Sequence, residues 1–133
     1  MPPRVLYFLL CHHVSYPAGN RVETDVHRLM TRICLRPGTP FPVKQPELCV
    51  AALFTGGQGG QGTLMLRCVE DDTKTVRFRS GARLFQLPHA PDEIWGWQWR
   101  LTDCPFCRPG LHWIELLFDG APIAQAPLYV VYS

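Results

Sequence analysis

Two cysteines three residues apart, Cys104 and Cys107, are the feature of this sequence that most resembles a chemical site. Their motif, Cys-Pro-Phe-Cys, has the spacing of glutaredoxin-like redox pairs, in which a helix dipole lowers the pKa of the first thiol. Here Arg108-Pro109-Gly110 follows the motif, which disfavours a helix, and the next residues alternate as a strand. The context therefore predicts a turn, with Phe106 packed against the end of the domain.

The same two cysteines would supply half of the four ligands that a zinc ion needs. The second pair would have to come from Cys11, His12, His13, Cys34 or His112. None of these forms another C-x-x-C or an H-x₃-H motif, so we expect no cofactor. If zinc binds, its candidate ligands are Cys104, Cys107 and His112. On the turn interpretation, replacing Cys104 and Cys107 with serine changes the stability by ~1 kcal/mol or less.

Catalytic motifs are missing from the sequence. It contains no G-x-S-x-G elbow, no phosphate-binding loop and no H-E-x-x-H motif. The only serines are Ser15, Ser80 and Ser133, and none adjoins a plausible base in sequence. The glycine-rich stretch 56–62 lacks the lysine and the strand-to-helix setting of a phosphate site. We therefore predict that the protein is not an enzyme.

Three tryptophans alternate in one stretch, at Trp95, Trp97 and Trp99, and therefore share one face of a strand. Exposed, they would form a flat platform for sugar rings or for a partner protein. Buried, they would fill a core, and burial is favoured because each exposed indole loses a few kcal/mol of apolar burial. Trp113 is the better candidate binding residue, since Ile114 and its alternating neighbours already claim the inward face.

Short alternating runs dominate the chain and predict strands. Leu48 to Phe54 is apolar at nearly every position, as in a central strand covered on both sides. Leu64, Leu66 and Cys68 alternate with outward positions, and Asp119-Gly120 is a favourable hairpin turn. We predict an all-β protein, an immunoglobulin-like β-sandwich of seven to nine mostly antiparallel strands.

The stretch 25–35 is ambiguous between strand and helix. Val26, Leu29, Met30 and Ile33 have helical spacing, and Pro37-Gly38 would end a helix. Alternation through the same stretch supports a strand equally well. We favour a strand because the neighbouring segments are strands, and one short helix near 25–35 is the alternative.

Composition limits the other classes of function. The 133 residues fit a single domain, 1–133, and 47% of them are hydrophobic. A formal net charge of +2 gives no field that would attract nucleic acid or an anionic membrane. We interpret the arginines Arg77, Arg79 and Arg83 as a solvated strand face.

The N-terminal apolar run, Val5 to Cys11, is too short for a signal sequence and has large leucines before the cysteine. No segment approaches the ~20 apolar residues of a membrane span. Cys11, Cys49 and Cys68 lie within apolar runs, where reduced thiols behave as small hydrophobes. These features indicate a cytoplasmic protein with no membrane partner.

The order of segments carries a family resemblance. An apolar first strand is followed by Phe41-Pro42-Val43 before the 48–54 strand, then by a glycine-rich hairpin and a closing Pro-Gly-Leu-His-Trp-Ile-Glu-Leu-Leu-Phe-Asp-Gly. This arrangement resembles a family of short bacterial proteins of unknown function, and its last hairpin resembles that of immunoglobulin-like domains. The resemblance implies a β-sandwich and supplies no activity.

Taken together, these features favour a binding domain that contacts another protein through a sheet face or edge. The run Leu128 to Tyr132 has no charge and no internal proline, so as an edge strand it needs a cover. We therefore expect a homo-oligomer or a partner docked along an edge. The alternatives are a zinc- or thiol-dependent protein centred on Cys104 and Cys107, and a carbohydrate-binding module that uses its tryptophans.

Overall fold

The computed structural model describes residues 2–16, 24–56, 59–87 and 93–133. Within these residues it contains ten strands and no helix. The strands are β1 (Arg4–Ser15), β2 (Asp25–Leu29), β3 (Arg32–Leu35), β4 (Val43–Thr55), β5 (Gln61–Glu70), β6 (Val76–Arg79), β7 (Arg83–Gln86), β8 (Trp95–Phe106), β9 (Gly110–Phe118) and β10 (Ala121–Tyr132). The prediction of an all-β protein is confirmed, with one strand more than expected. In the part of the chain described, no helix is long and apolar enough to cross a membrane.

The strands form two sheets. The four-stranded sheet has the order β2-β1-β4-β8, and the six-stranded sheet has the order β3-β10-β9-β5-β6, with β7 also paired to β5. All pairs are antiparallel except β3 with β10. This two-sheet arrangement agrees with the sandwich predicted from the alternating runs.

The stretch 25–35 is strand, as favoured, but it is divided between the two sheets. β2 pairs with β1 in the four-stranded sheet, and β3 pairs with β10 in the six-stranded sheet. The chain passes between the sheets at the buried Met30, whose amide donates a 2.8 Å hydrogen bond to the Leu10 carbonyl. This crossing explains the mixed pattern, because β3 buries alternate residues, Ile33 and Leu35, whereas β2 is mostly exposed.

The core lies between the sheets and follows the alternation of the sequence. Inward residues on β4, β5 and β9 are fully buried: Leu48, Val50, Phe54, Leu64, Leu66, Ile114 and Leu116. Each such side chain contributes about 1.5–3 kcal/mol of hydrophobic stabilisation. Close packing also fixes a small residue, since a Cβ added at Gly62 would overlap the ring of Phe118.

Two local expectations concern the last two strands. The Asp119-Gly120 turn is confirmed, and both residues have positive φ, of 49° and 84°, as a tight hairpin between β9 and β10 requires. The run Leu128 to Tyr132 has the cover that it needs within the chain, because β3 pairs with residues 129–132, so this run gives no reason to expect a partner. Within the residues described, a long unpaired edge instead lies at β8, which pairs with β4 alone.

Candidate functional site

The outer face of the four-stranded sheet is apolar along one half and basic along the other. Three rows of its side chains cross β1, β4 and β8, and the register of these strands sets them. The rows are Tyr7, Leu53 and Gly96; then Leu9, Ala51 and Gln98; then Cys11, Cys49 and Arg100. We call this surface the open face, because no second sheet of the described chain covers it. Cys11 and Cys49 are nevertheless buried, together with Val14, in a small separate cluster.

A groove of about 620 Å³ occupies the apolar half of the open face. Its lining is mostly aliphatic and aromatic: Tyr7, Leu9, Val14, Tyr16, Thr24, Val26, Ala51, Ala52, Leu53, Ile94, Gly96 and Trp97. The sequence predicted that β4 would be covered on both sides, and its outer side is covered only in part: Cys49 is buried, whereas Ala51 and Leu53 are half-buried. A volume of this size suits the burial of a ligand group.

A second cavity of about 370 Å³ continues the groove into the basic half. Val14 lines both spaces, and the other lining residues are His13, Cys49, Arg83, Gln98 and Arg100. The Arg83 guanidinium lies over the Trp99 ring, with Cζ 4.1 Å from the ring centroid. Arg83 is thus a cation–π partner of the core and not simply part of a solvated strand face.

The β1–β2 hairpin brings a serine to a histidine beside this cavity. Ser15 Oγ lies 2.8 Å from His27 Nε2, and the rings of His13 and His27 are 5.4 Å apart. The sequence missed this contact because the two residues meet only through strand pairing. In the described part of the chain no carboxylate lies within salt-bridge distance of His27. The described residues therefore place no carboxylate there to orient the base, as the aspartate of a catalytic triad does.

Elsewhere, four buried groups and one exposed arginine form what we call the sealed cluster, made of Cys68, Glu70, Cys104 and His112 together with Arg77. Glu70 is 1% exposed and accepts a 2.8 Å hydrogen bond from Arg77 Nε. Thr73 donates a 2.9 Å hydrogen bond to the same carboxylate. Burial favours the neutral acid, but the hydrogen bonds from Arg77 and Thr73 outweigh it and lower the pKa of Glu70.

His112 and the two thiols complete the sealed cluster. Burial lowers the pKa of His112, whose Nδ1 lies 3.0 Å from the Gly110 carbonyl and whose Nε2 has no partner in the described structure. The contact with the Cys104 thiol, together with burial, raises the pKa of Cys68. Both shifts favour the uncharged forms of His112 and Cys68 within the sandwich, beside the charged Glu70–Arg77 pair.

The structure corrects the interpretation of the Cys104–Cys107 motif as a turn. β8 continues to Phe106, and the turn follows at residues 107–109. Cys104 is fully buried against Cys68, whereas Cys107 is exposed, so the two thiols have different environments. Phe106 packs into the core, as predicted, with its ring 5.0 Å from that of His112.

The candidate zinc ligands are accordingly not assembled. Cys104 and His112 are buried while Cys107 faces solvent. Across residues 2–16, 24–56, 59–87 and 93–133, no three or more His, Cys, Asp or Glu side chains are grouped to hold a metal ion. The geometry gives the motif no ligand set beyond the pair itself.

The tryptophans are buried or half-buried in the protein. Trp99 is 5% exposed, and Trp95 and Trp97 are half-buried against the same core. Trp113, the candidate binding residue, is half-buried, and its indole N–H donates a 2.9 Å hydrogen bond to Asp71. That hydrogen bond makes the largest contribution to the lowered pKa of Asp71. None of the four offers a freely exposed flat ring.

Comparison with known proteins gives a family without a function. The model of a family of unknown function (DUF6941) matches residues 6–131. No curated protein matches the chain.

Among solved structures, β-glucosidase from Listeria innocua is similar at a TM-score of 0.50 and 12% identity, over 94% of this chain and 16% of that enzyme. The alkylpurine DNA glycosylase AlkC of Pseudomonas fluorescens, bound to DNA containing an abasic site analog, is similar at a TM-score of 0.51 and 10% identity, over 96% of this chain and 30% of that enzyme. The chain therefore spans less than a third of either enzyme, and these similarities show the fold alone.

Proposed function

The chain belongs to the DUF6941 family of unknown function, and we propose that it is a non-enzymatic domain that binds an extended segment of a partner protein. The segment lies on the open face, along the edge of β8. We also propose that the sandwich is immunoglobulin-like and that the protein acts in the bacterial cytoplasm. All six cysteines are free thiols, which supports a reducing compartment.

One observation carries the proposal: a mostly apolar groove adjoins a long unpaired strand edge. β8 spans twelve residues and, among the strands described, pairs with β4 alone, so its other side presents free backbone donors and acceptors. Proteins normally cover or break such edges, because they template strand addition. A peptide added beside β8 gains main-chain hydrogen bonds from the edge and burial of alternate side chains in the groove.

The alternatives have less support. A carbohydrate platform needs exposed tryptophan faces, and the indoles of Trp95, Trp97 and Trp99 pack against the core. A zinc- or thiol-dependent protein needs Cys104 and Cys107 in one site, and only Cys107 is exposed. Catalysis at Ser15 and His27 needs an orienting group that the described residues do not supply there.

The test is selection of peptides from a displayed random library on the purified protein. We expect wild-type protein to select peptides with alternating apolar residues. Ala51→Arg places a long charged side chain in the groove and should weaken their binding by at least about tenfold. Ala121→Arg makes the same change at an exposed site on the other sheet and should bind as wild type does.

A second groove variant protects the test against misfolding. Ile94 lines the groove and is 62% exposed, so Ile94→Lys should keep the melting temperature and still weaken peptide binding. Methylating alternate backbone nitrogens of a selected peptide should abolish its binding, because strand addition needs those donors. Failure to select any peptide, or equal binding by Ile94→Lys and Ala121→Arg, would overturn the proposal.

A further inference from the structure

The basic half of the open face holds positive charges that form no salt bridge with any acidic group among the described residues. Salt bridges within the described residues engage Arg67, Lys74, Arg77 and Arg108, but neither Arg83 nor Arg100. Glu47 lies on the same face one row beyond Arg100, opposite Thr102. In the part of the chain described, Glu47 does not come within salt-bridge distance of Arg100. The two guanidinium groups are therefore available to an anion from outside.

The two arginines approach the same place from different sheets. Arg100 is on β8, in the row of Cys11 and Cys49, while Arg83 is on β7 of the six-stranded sheet. Arg83 stacks on the core residue Trp99 and lines the same cavity as Arg100. Stacking also limits the freedom of the Arg83 side chain, so less conformational entropy is lost when it binds a ligand. The remaining donors of the cavity are His13 and Gln98.

The spacing of the rows matches an extended peptide. Strands rise about 3.4 Å per residue, so the row of Gly96 and the row of Arg100 lie ~14 Å apart. A strand added along β8 has the same rise, and its alternate side chains meet successive rows. Two apolar residues would face the rows of Gly96 and Gln98, and the next residue on that face would meet Arg100.

We propose that the segment bound on the open face carries an aspartate or glutamate at this third position, bound by Arg83 and Arg100. The recognition pattern is apolar-x-apolar-x-acidic, or its reverse, according to the direction of the added strand. Arginine is suited to this task because its planar donors bind a carboxylate through two parallel hydrogen bonds. This inference rests on the proposed function and adds the chemistry of the partner.

The experiment compares three synthetic peptide pools by fluorescence anisotropy. Each pool contains peptides with the pattern in both directions. The acidic position of the pattern is Glu in the first pool, Gln in the second and Lys in the third. On wild-type protein we expect the Glu pool to bind about tenfold more tightly than the Gln pool, with the Lys pool weakest. In the double variant Arg83→Gln, Arg100→Gln, the Glu pool should bind no better than the Gln pool.

Controls separate the two proposals. Arg36→Gln removes one exposed charge away from the open face and should keep the wild-type preference for Glu. Raising the salt from about 0.05 to 0.5 M should shrink the ratio of Glu to Gln affinity in wild-type protein, which tests the inference without any substitution. Equal affinity of the Glu and Gln pools for wild-type protein would overturn the proposal of an acidic residue in the partner and leave the proposed peptide binding intact. Binding of no pool would overturn the proposed function with it.

Discussion

Charged side chains have opposite environments in the sealed cluster and on the open face. In the sealed cluster Glu70 is buried and receives hydrogen bonds from Arg77 and Thr73. On the open face Arg100 is exposed and has no ion-pair partner among the described residues. A buried charge is costly without its partner, whereas an exposed one is stabilised by water. The first region therefore contributes to stability, and the second is free to contribute to binding.

The largest expected effect comes from breaking the ion pair of the sealed cluster. Glu70→Gln removes the charge that holds Arg77 and should cost about 2–4 kcal/mol of unfolding free energy. The range lies below that of a fully buried pair because the Arg77 side chain is 37% exposed and regains hydration. Urea unfolding measures the loss. Arg100→Gln on the open face should change the stability by about 0.5 kcal/mol or less, and equal effects of the two variants would contradict the comparison.

A smaller effect should separate the two cysteines of the Cys104–Cys107 motif. Cys104→Ser places a hydroxyl in a fully buried position and should cost about 1–3 kcal/mol. Cys107→Ser changes an exposed side chain and should shift the stability by about 0.5 kcal/mol or less. Thermal melts of the two single variants distinguish them. The earlier expectation of ~1 kcal/mol or less for the double change is therefore replaced by a loss that Cys104 dominates.

The smallest effect concerns the pH dependence of stability. Burial lowers the pKa of His112, so below about pH 6.5 the unfolded chain binds a proton that the folded chain does not. Stability should therefore fall as the pH drops through 6.5 toward the folded pKa, and this contribution should level off below that pKa. Melting temperatures between about pH 7.5 and pH 5.5 should decline less steeply in His112→Phe than in wild type. Identical slopes would show that His112 does not contribute to this dependence.

Much of the fold could be predicted because the alternation of inward and outward side chains along a strand is visible in a short stretch of sequence. The inward residues Leu64, Leu66 and Cys68 followed directly from alternation, and Asp119-Gly120 followed from turn chemistry. The pairing of β3 with β10 could not be predicted, since parallel partners distant in sequence leave no local signal. The change of sheet at Met30 was missed for the same reason.

The candidate site was harder to predict than the fold. An apolar residue such as Ala51 has the same sequence signature whether its face meets another layer of the chain or a partner protein. The cation–π contact of Arg83 with Trp99 joins two sheets, and the meeting of Ser15 with His27 depends on hairpin register. Each of these features exists only after the strands are assembled.

The parallel pairing of β3 with β10 also imposes an order on folding. The β9–β10 hairpin closes a two-residue turn and can form within microseconds. β3 can pair only after residues distant in sequence have come together, because Arg32 pairs with Tyr129. Closing so long a loop slows folding. Until β3 pairs with them, residues 129–132 present an unpaired apolar edge to neighbouring chains. The period of greatest risk of strand exchange is therefore the interval between formation of the hairpin and docking of β3.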